Sequence, residues 1–387
     1  MMGRKALALA FSFLILAVPL TFRGVSAATP SIVILVSDNE ADCTLAQYIA
    51  NLTGVPVVTT PWGVYDPNIT TKIVSYAPDE VVIIGGPAAV PDEYVEDLQN
   101  LSITVERWWG KNRYETDLAV IKNATSKFQL QFQGRIIIAA GNDTMAIEKA
   151  LQVAIKERAM IVFVNRTSNI STVMMKLKVK TPRMMLIGTP FANRTIEKIR
   201  KQIKEHFGEF NCSEMRVNIT AESVLKVINS TEARINTAES LLKNVTSPAA
   251  ERMLELAKKQ LTLAKEAYKE GKYGEAYGLA IAAGMKANFV VKFADRDFRE
   301  ELHLHMGLVL RRELFRLGIQ IGFMKNAGID VQDAQKLLEE IKAAIKNGDY
   351  DTAHELLAQL KELLREKYRT GRGIIKEKHH PVKKHRP

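Results

Sequence analysis

The chain has 387 residues, 47% hydrophobic and 25% charged, with a formal net charge of +11. That length and apolar content suffice for two compact domains with sizeable cores, and they exclude both a disordered chain and a polytopic membrane protein.

The first 28 residues read as a targeting segment. Arg4 and Lys5 precede an apolar run from Ala6 to Phe22, and Val25-Ser26-Ala27 supplies the small residues a signal peptidase recognises. Cleavage is the expectation and an uncleaved anchor the alternative; either way the chain is exported. Acceptor sequons agree with export: Asn51, Asn68, Asn100, Asn123, Asn142, Asn165, Asn169, Asn193, Asn211, Asn218, Asn229 and Asn244 all stand in Asn-x-Ser/Thr without an intervening proline. Random placement would give roughly two or three. The excess stops at Asn244, so a glycosylated outer half is expected. Cys43 and Cys212 are the only cysteines; an oxidising exterior would let them pair, and two free thiols are the alternative.

Residues 29–107 and 108–220 are two diverged copies of one unit. Ile32-Val-Ile-Leu-Val36 is matched by Ile136-Ile-Ile-Ala-Ala140, and Val82-Ile-Ile-Gly-Gly-Pro87 by Met185-Leu-Ile-Gly-Thr-Pro190. Each copy reads strand, helix, strand, helix, strand, helix. Continuous β-branched runs imply parallel sheets covered by helices on both faces, a small Rossmann-like α/β unit. The copies differ in charge: residues 29–107 carry 2 basic and 11 acidic side chains, residues 108–220 carry 19 and 9. Complementary faces are expected to dock, within the chain or head to tail between chains as a homo-oligomer.

Val81-Val-Ile-Ile-Gly-Gly-Pro-Ala-Ala-Val-Pro91, then Val105-Glu106-Arg107 with Gly110 and Arg113-Tyr114-Glu115-Thr116, resembles the cell wall binding repeat 2 family of exported surface proteins. The resemblance covers residues 31 to about 210. It implies repeats packed about a pseudo-threefold axis that hold anionic polymers of the envelope, and members commonly have three repeats where this chain has two. It singles out Arg113, Tyr114 and Thr116 as binding positions. Trp108 and Trp109 depart from the family pattern of an aliphatic and a small residue. Adjacent strand residues face opposite ways, so either one indole is core and the other free to stack on a sugar or partner, or both are packed.

The residues themselves offer structural readings beside these. Asn112 is a candidate N-cap that places Arg113 and Thr116 on a first helical turn, where the Arg113 donors are able to tie strand ends together. Gly85 and Gly86, followed by Asp92 and Glu93, read as a structural turn rather than a phosphate loop, because the carboxylates already complement the helix dipole.

From residue 221 the composition turns to Ala, Leu, Lys and Glu with helical periodicity. Helices are expected at 221–244, 248–270, 274–293, 295–325, 330–347 and 350–369, forming an all-α bundle over 221–369, with 370–387 a basic flexible tail. No cofactor, metal or nucleophile motif occurs, and His303 and His305 do not share a helix face. A non-enzymatic surface protein follows, its partner an anionic envelope polysaccharide or surface-layer protein rather than nucleic acid. Two alternatives stay open. One is a scaffold for other exported proteins built on the helical bundle. The other is a glycan hydrolase using Asp38, Asp42 or Asp143.

Overall fold

A computed structural model of the chain describes residues 31–133, 135–178, 183–208, 212–243, 247–303 and 306–379. The targeting segment, Asn211, Asn244 and residues 380–387 lie outside the described residues.

The first copy comprises β1 (Ile32–Ser37), α1 (Glu40–Thr53), β2 (Val57–Thr60), α2 (Pro67–Ser75), β3 (Glu80–Ile84), α3 (Glu93–Asn100) and β4 (Thr104–Trp108). Helix α4 (Arg113–Phe128) leads to the second: β5 (Arg135–Ala140), α5 (Thr144–Glu157), β6 (Met160–Val164), α6 (Ile170–Lys176), β7 (Arg183–Gly188), a 3-10 turn at Pro190–Ala192, α7 (Asn193–Phe207) and β8 (Cys212–Arg216). All strand pairs are parallel, in the orders β2-β1-β3-β4 and β6-β5-β7-β8. The α/β reading and the internal repeat hold. Each sheet has a fourth strand beyond the three apolar runs, because β4 and β8 are edge strands whose outward residues are charged (Glu106, Arg107, Glu214, Arg216) and break the buried-strand pattern.

Local chemistry sets the helix starts. Asn39, Asp66, Asn112, Asp143 and Asn169 each accept a backbone N–H as N-cap; Asn112 takes those of Tyr114 and Glu115, both at 3.0 Å. The turn after β3 has Gly85 at φ +118°, open to glycine. Helix α3 begins at Glu93, two residues past Pro91.

One core joins the two sheets. Ile34, Val36, Val82, Ile84 and Trp108 of the first pack with Ile137, Ala139 and Phe163 of the second through α1, α4 and α5.

The helical region is α8 (Ala221–Leu242), α9 (Pro248–Lys269), α10 (Tyr273–His303), α11 (Met306–Ala327), α12 (Gln332–Lys346) and α13 (Tyr350–His379). It is two layers rather than one bundle. Helices α8, α9 and α10 share a core of small residues, Ala264, Ala276, Ala280 and Ala283 among them. Helices α11–α13 instead complete the first copy: Leu310, Leu314, Leu317, Leu357 and Leu364 lie in the same core as Leu35, Ile83 and Tyr94. Each buried leucine contributes ~1.5–3 kcal/mol, which fixes this layer to the sheet. Helix α10 continues ten residues beyond its expected end at 293.

The basic tail expected from residue 370 is corrected in the same way. Helix α13 runs to His379, because Leu364, Tyr368, Gly371 and Ile375 extend a buried stripe at helical spacing and Arg372 pairs with Asp79 at 2.6 Å.

Candidate functional site

The motif residues converge on the junction of the two copies. Trp108 is buried in the shared core; Trp109, 49% exposed, lies over Gly86, where an added Cβ would come within 2.8 Å of the indole. One ring is core and the other is free. Arg113 Nη1 donates to the carbonyl of Gly141 at the end of β5, tying α4 to the second sheet. Tyr114 packs against the same glycine, and burial pushes its hydroxyl pKa up. Thr116 Oγ1 is buried and accepts the Gly110 N–H at 3.0 Å. Arg107, quoted in the sequence only as part of a motif, gathers the first glycine turn: it donates to the Gly85 carbonyl (3.0 Å), the Val90 carbonyl (2.9 Å) and Asp92 (2.9 Å).

The three candidate carboxylates occupy separate settings. Asp143 Oδ1 accepts from the Tyr277 hydroxyl (3.0 Å) and the Ala146 N–H (3.3 Å), and Oδ2 accepts from the Thr189 N–H (2.9 Å) and hydroxyl (2.8 Å). Asp38 accepts the Trp62 N–H at 2.9 Å, and burial raises its pKa. Asp42 is buried with Oδ1 unpartnered; desolvation lifts its pKa to about 6, partly offset by Arg113. A fourth acid, Asp117, escaped sequence reasoning because it sits mid-helix among ordinary helix formers. It is fully buried, accepts the Phe163 N–H at 2.7 Å, and is held well above the usual carboxylate range by desolvation and by Asp42.

Open parallel sheets bind ligands beyond the carboxyl ends of their strands. Here α10 crosses that edge on both copies. Tyr277 reaches Asp143 and meets Phe191 edge to face at 5.5 Å. One stripe further, Ile281, Gly284, Met285 and Asn288 line a cavity of about 30 Å³ with Arg113 and Arg234, room for little more than a water. Val291 then packs beside Gly63, after β2.

Charge is distributed unequally once contacts are drawn. Acids of the first copy are matched from within the chain: Glu40 by Arg234 (2.8 Å), Asp79 by Arg372 (2.6 Å), Glu80 and Glu106 by Lys127 (2.7 and 2.9 Å), Glu93 by Arg312 (2.5 Å), and Glu96 and Asp97 by Arg316 (3.1 and 2.5 Å). The second copy keeps a basic face. Arg194, Lys198 and Lys201 recur at helical spacing on the exposed side of α7, with Glu197 and Glu205 among them; Lys201 lies 3.9 Å from Glu205, and Lys198 donates to the carbonyl of exposed Arg166 at 2.6 Å. These first-copy acids thus meet cations of α4, α8, α11 and α13 of the same chain.

None of the described acceptor asparagines is buried. Asn51, Asn68, Asn169, Asn193, Asn218 and Asn229 are exposed, and Asn100, Asn123, Asn142 and Asn165 half-buried. Cys43 and Cys212 are free thiols, so the pairing alternative is not realised. Among the described residues no helix is long and apolar enough to cross a membrane, and no group of His, Cys, Asp and Glu is arranged to hold a metal ion.

No family model matches the chain. The uncharacterised protein MJ0755 of Methanocaldococcus jannaschii is 36% identical over 187 residues, a match that takes in 46% of this chain and 52% of that protein. The chain thus spans about half the length of this relative. Among solved structures, Cwp6 from Clostridium difficile aligns with a TM-score of 0.38 and 21% identity, over 49% of this chain and 29% of that one. A likeness of that size carries no argument about function.

Proposed function

We propose that the protein is exported and sits on the cell envelope, held non-covalently by contact between the basic face of its second copy and an acidic envelope polysaccharide. The observation that carries this reading is a charge asymmetry: most first-copy acids are matched internally, whereas Arg166, Arg194 and Lys198 share one exposed face with Lys201, whose contact with Glu205 is a loose 3.9 Å. Several weak ionic contacts along a polymer add as a multivalent attachment. The amino-terminal apolar run and the sequons supply the export side of the argument. A hydrolase built on Asp38, Asp42 and Asp143 gains no support, because Asp143 has both oxygens engaged and Asp42 is buried.

The test is co-sedimentation of the full chain with native envelopes across a salt series, beside a variant carrying Arg166→Glu, Arg194→Glu, Lys198→Glu and Lys201→Glu. The native chain should pellet at low salt and release as salt rises, while the variant stays in solution. Equal pelleting of both at all salt concentrations would overturn the reading. Envelopes stripped of protein by protease retain binding if the partner is polysaccharide and lose it if the partner is a surface-layer protein. The scaffold alternative has behind it the exposed apolar side chains of the helical region, Phe315 (65%), Met285 (55%) and Leu256 (46%) among them.

A further inference from the structure

The first strand-to-helix turns of the two copies border one space. In the first copy β1 passes through Asn39 into α1, and in the second β5 passes through Gly141 and Asn142 into α5. Both turns line the cavity of about 30 Å³, with Arg113 of α4, Arg234 of α8 and Asn288 of α10 in its remaining wall. The amino ends of α1 and α5 therefore meet here, and the backbone N–H groups and dipole of such ends favour negative charge.

The polar side chains add donors that have no acceptor. Asn39 is only 6% exposed; its Oδ1 accepts the Ala41 N–H at 3.2 Å, while its Nδ2 donates to no described residue. Arg234 Nη2 donates to Glu40 at 2.8 Å and to the Asp38 carbonyl at 3.3 Å, but its buried Nε has no partner. Arg113 uses Nη1 on the Gly141 carbonyl, and a guanidinium has five N–H donors. Gly284 leaves room for this arrangement, since an added Cβ would come within 3.2 Å of Thr231 Oγ1 and 3.8 Å of Arg234 Nη1.

We propose that the cavity holds one monovalent halide ion such as chloride, accepting from Asn39 Nδ2, Arg234 Nε and the remaining donors of Arg113. Charge agrees with a single anion. Arg113 and Arg234 bring two positive charges to the wall and Glu40, paired with Arg234, one negative; Asp38 and Asp42 lie near these guanidinium groups without lining the cavity. Size agrees as well. The volume admits one water or one ion of that size, which leaves out phosphate, sulfate and a polymer's acidic sugar. A water must also donate, and the Glu40 carboxylate and Gly141 carbonyl are already engaged; a halide only accepts. The ion bridges α1, α4 and α8, so it ties both copies to the helical region. It is independent of the basic face on α7 and of envelope attachment.

The experiment uses the full chain. Its thermal midpoint is followed in sodium chloride, sodium bromide and sodium gluconate at matched ionic strength, and crystals grown in bromide are measured at the bromine absorption edge. Chloride and bromide should raise the midpoint with saturation, as a ligand of the folded state does, and gluconate should not. One anomalous peak should lie between Asn39, Arg113 and Arg234. Asn39→Asp keeps the cap acceptor of α1 but exchanges the amide donor for a carboxylate, so the chloride concentration that gives half the shift should rise about tenfold or more. A midpoint that follows ionic strength alike in all three salts overturns the proposal, and so does a cavity holding water in the bromide crystals. A bromide peak with no halide response in solution is binding at crystal concentration only and overturns it too. An unchanged halide response in Asn39→Asp places the ion elsewhere and overturns this site. Should that variant misfold, the bromide map and the halide response of the unaltered chain decide.

Discussion

Tyr277 of α10 donates its hydroxyl hydrogen to Asp143 Oδ1 at 3.0 Å and accepts the Met145 N–H at 3.1 Å, so a helix-region residue closes the strand-end crevice of the second copy. Asp143 already caps α5 and holds Thr189. The phenol therefore links three elements through one buried carboxylate.

Tyr277→Phe should cost about 1–3 kcal/mol, because it leaves the Met145 N–H without a partner and takes the shorter of two bonds from Asp143 Oδ1, while keeping the ring against Phe191. Chemical denaturation measures the loss. Limited proteolysis should show α8–α10 cut sooner than in the native chain. A variant with unchanged midpoint and unchanged cleavage would mean that alanine packing alone holds α10 in place.

Asp42→Asn tests the buried acid between the copies. Desolvation raises the folded pKa from 3.8 to about 6, so the unfolded chain gives up its proton first as pH rises. Stability tied to this group is fully present below pH 3.8, falls between there and about 6, and has gone above it. The difference corresponds to up to about 3 kcal/mol. Asn cannot ionise, so the variant should be the more stable chain at pH 7 and lose its advantage at pH 4. A native chain whose denaturation midpoint does not fall across that interval would remove Asp42 from the stability balance.

Arg316→Met addresses how α11 is fixed to the first copy. Arg316 is 6% exposed, holds Asp97 through two nitrogens at 3.0 and 2.5 Å, and donates to the Glu93 carbonyl at 2.9 Å. Removing it leaves Asp97, itself 1% exposed, as an unpaired buried charge, a loss of about 3–5 kcal/mol. Asp97→Asn added to Arg316→Met should recover part of that, since the stranded charge goes with it. If the double variant is no more stable than the single, the loss belongs to packing rather than charge.

These two contacts show what the sequence exposes and what it hides. Apolar runs, cap residues and glycine stops depend on neighbours within a few positions, so β1, β3, β5 and β7, the Asn112 cap and the breaks at Gly271, Gly328 and Gly348 are readable from residue order. Tyr277 and Asp143 are 134 residues apart, and Arg316 and Asp97 are 219 apart. Helical periodicity says that each side chain faces something, never what. The same limit hid the sharing of one core by α11–α13 and the first sheet, and charge counts alone did not show which cations of the same chain the first-copy acids meet. At the site, Arg113 and Thr116 were found through their motif, whereas Asp117 became visible only through its burial and its bond to the Phe163 N–H, 46 residues away.

Arg113→Ala separates the structural from the polymer-binding role of the motif. The guanidinium is bonded to the Gly141 carbonyl and lies close enough to lower the Asp42 pKa, so its main partners are inside the protein. Removing it should destabilise the junction of the copies by about 1–3 kcal/mol, the range for a hydrogen bond from a charged group. It should also shift Asp42 further upward, because the desolvation that raises it would no longer be offset. The interval over which stability falls with pH then extends above about 6. Envelope sedimentation should be unaltered at temperatures where the variant is folded, since the basic face of α7 is intact. A folded Arg113→Ala chain that no longer pellets, with the Asp42 interval where it was, would instead place Arg113 in contact with the polymer.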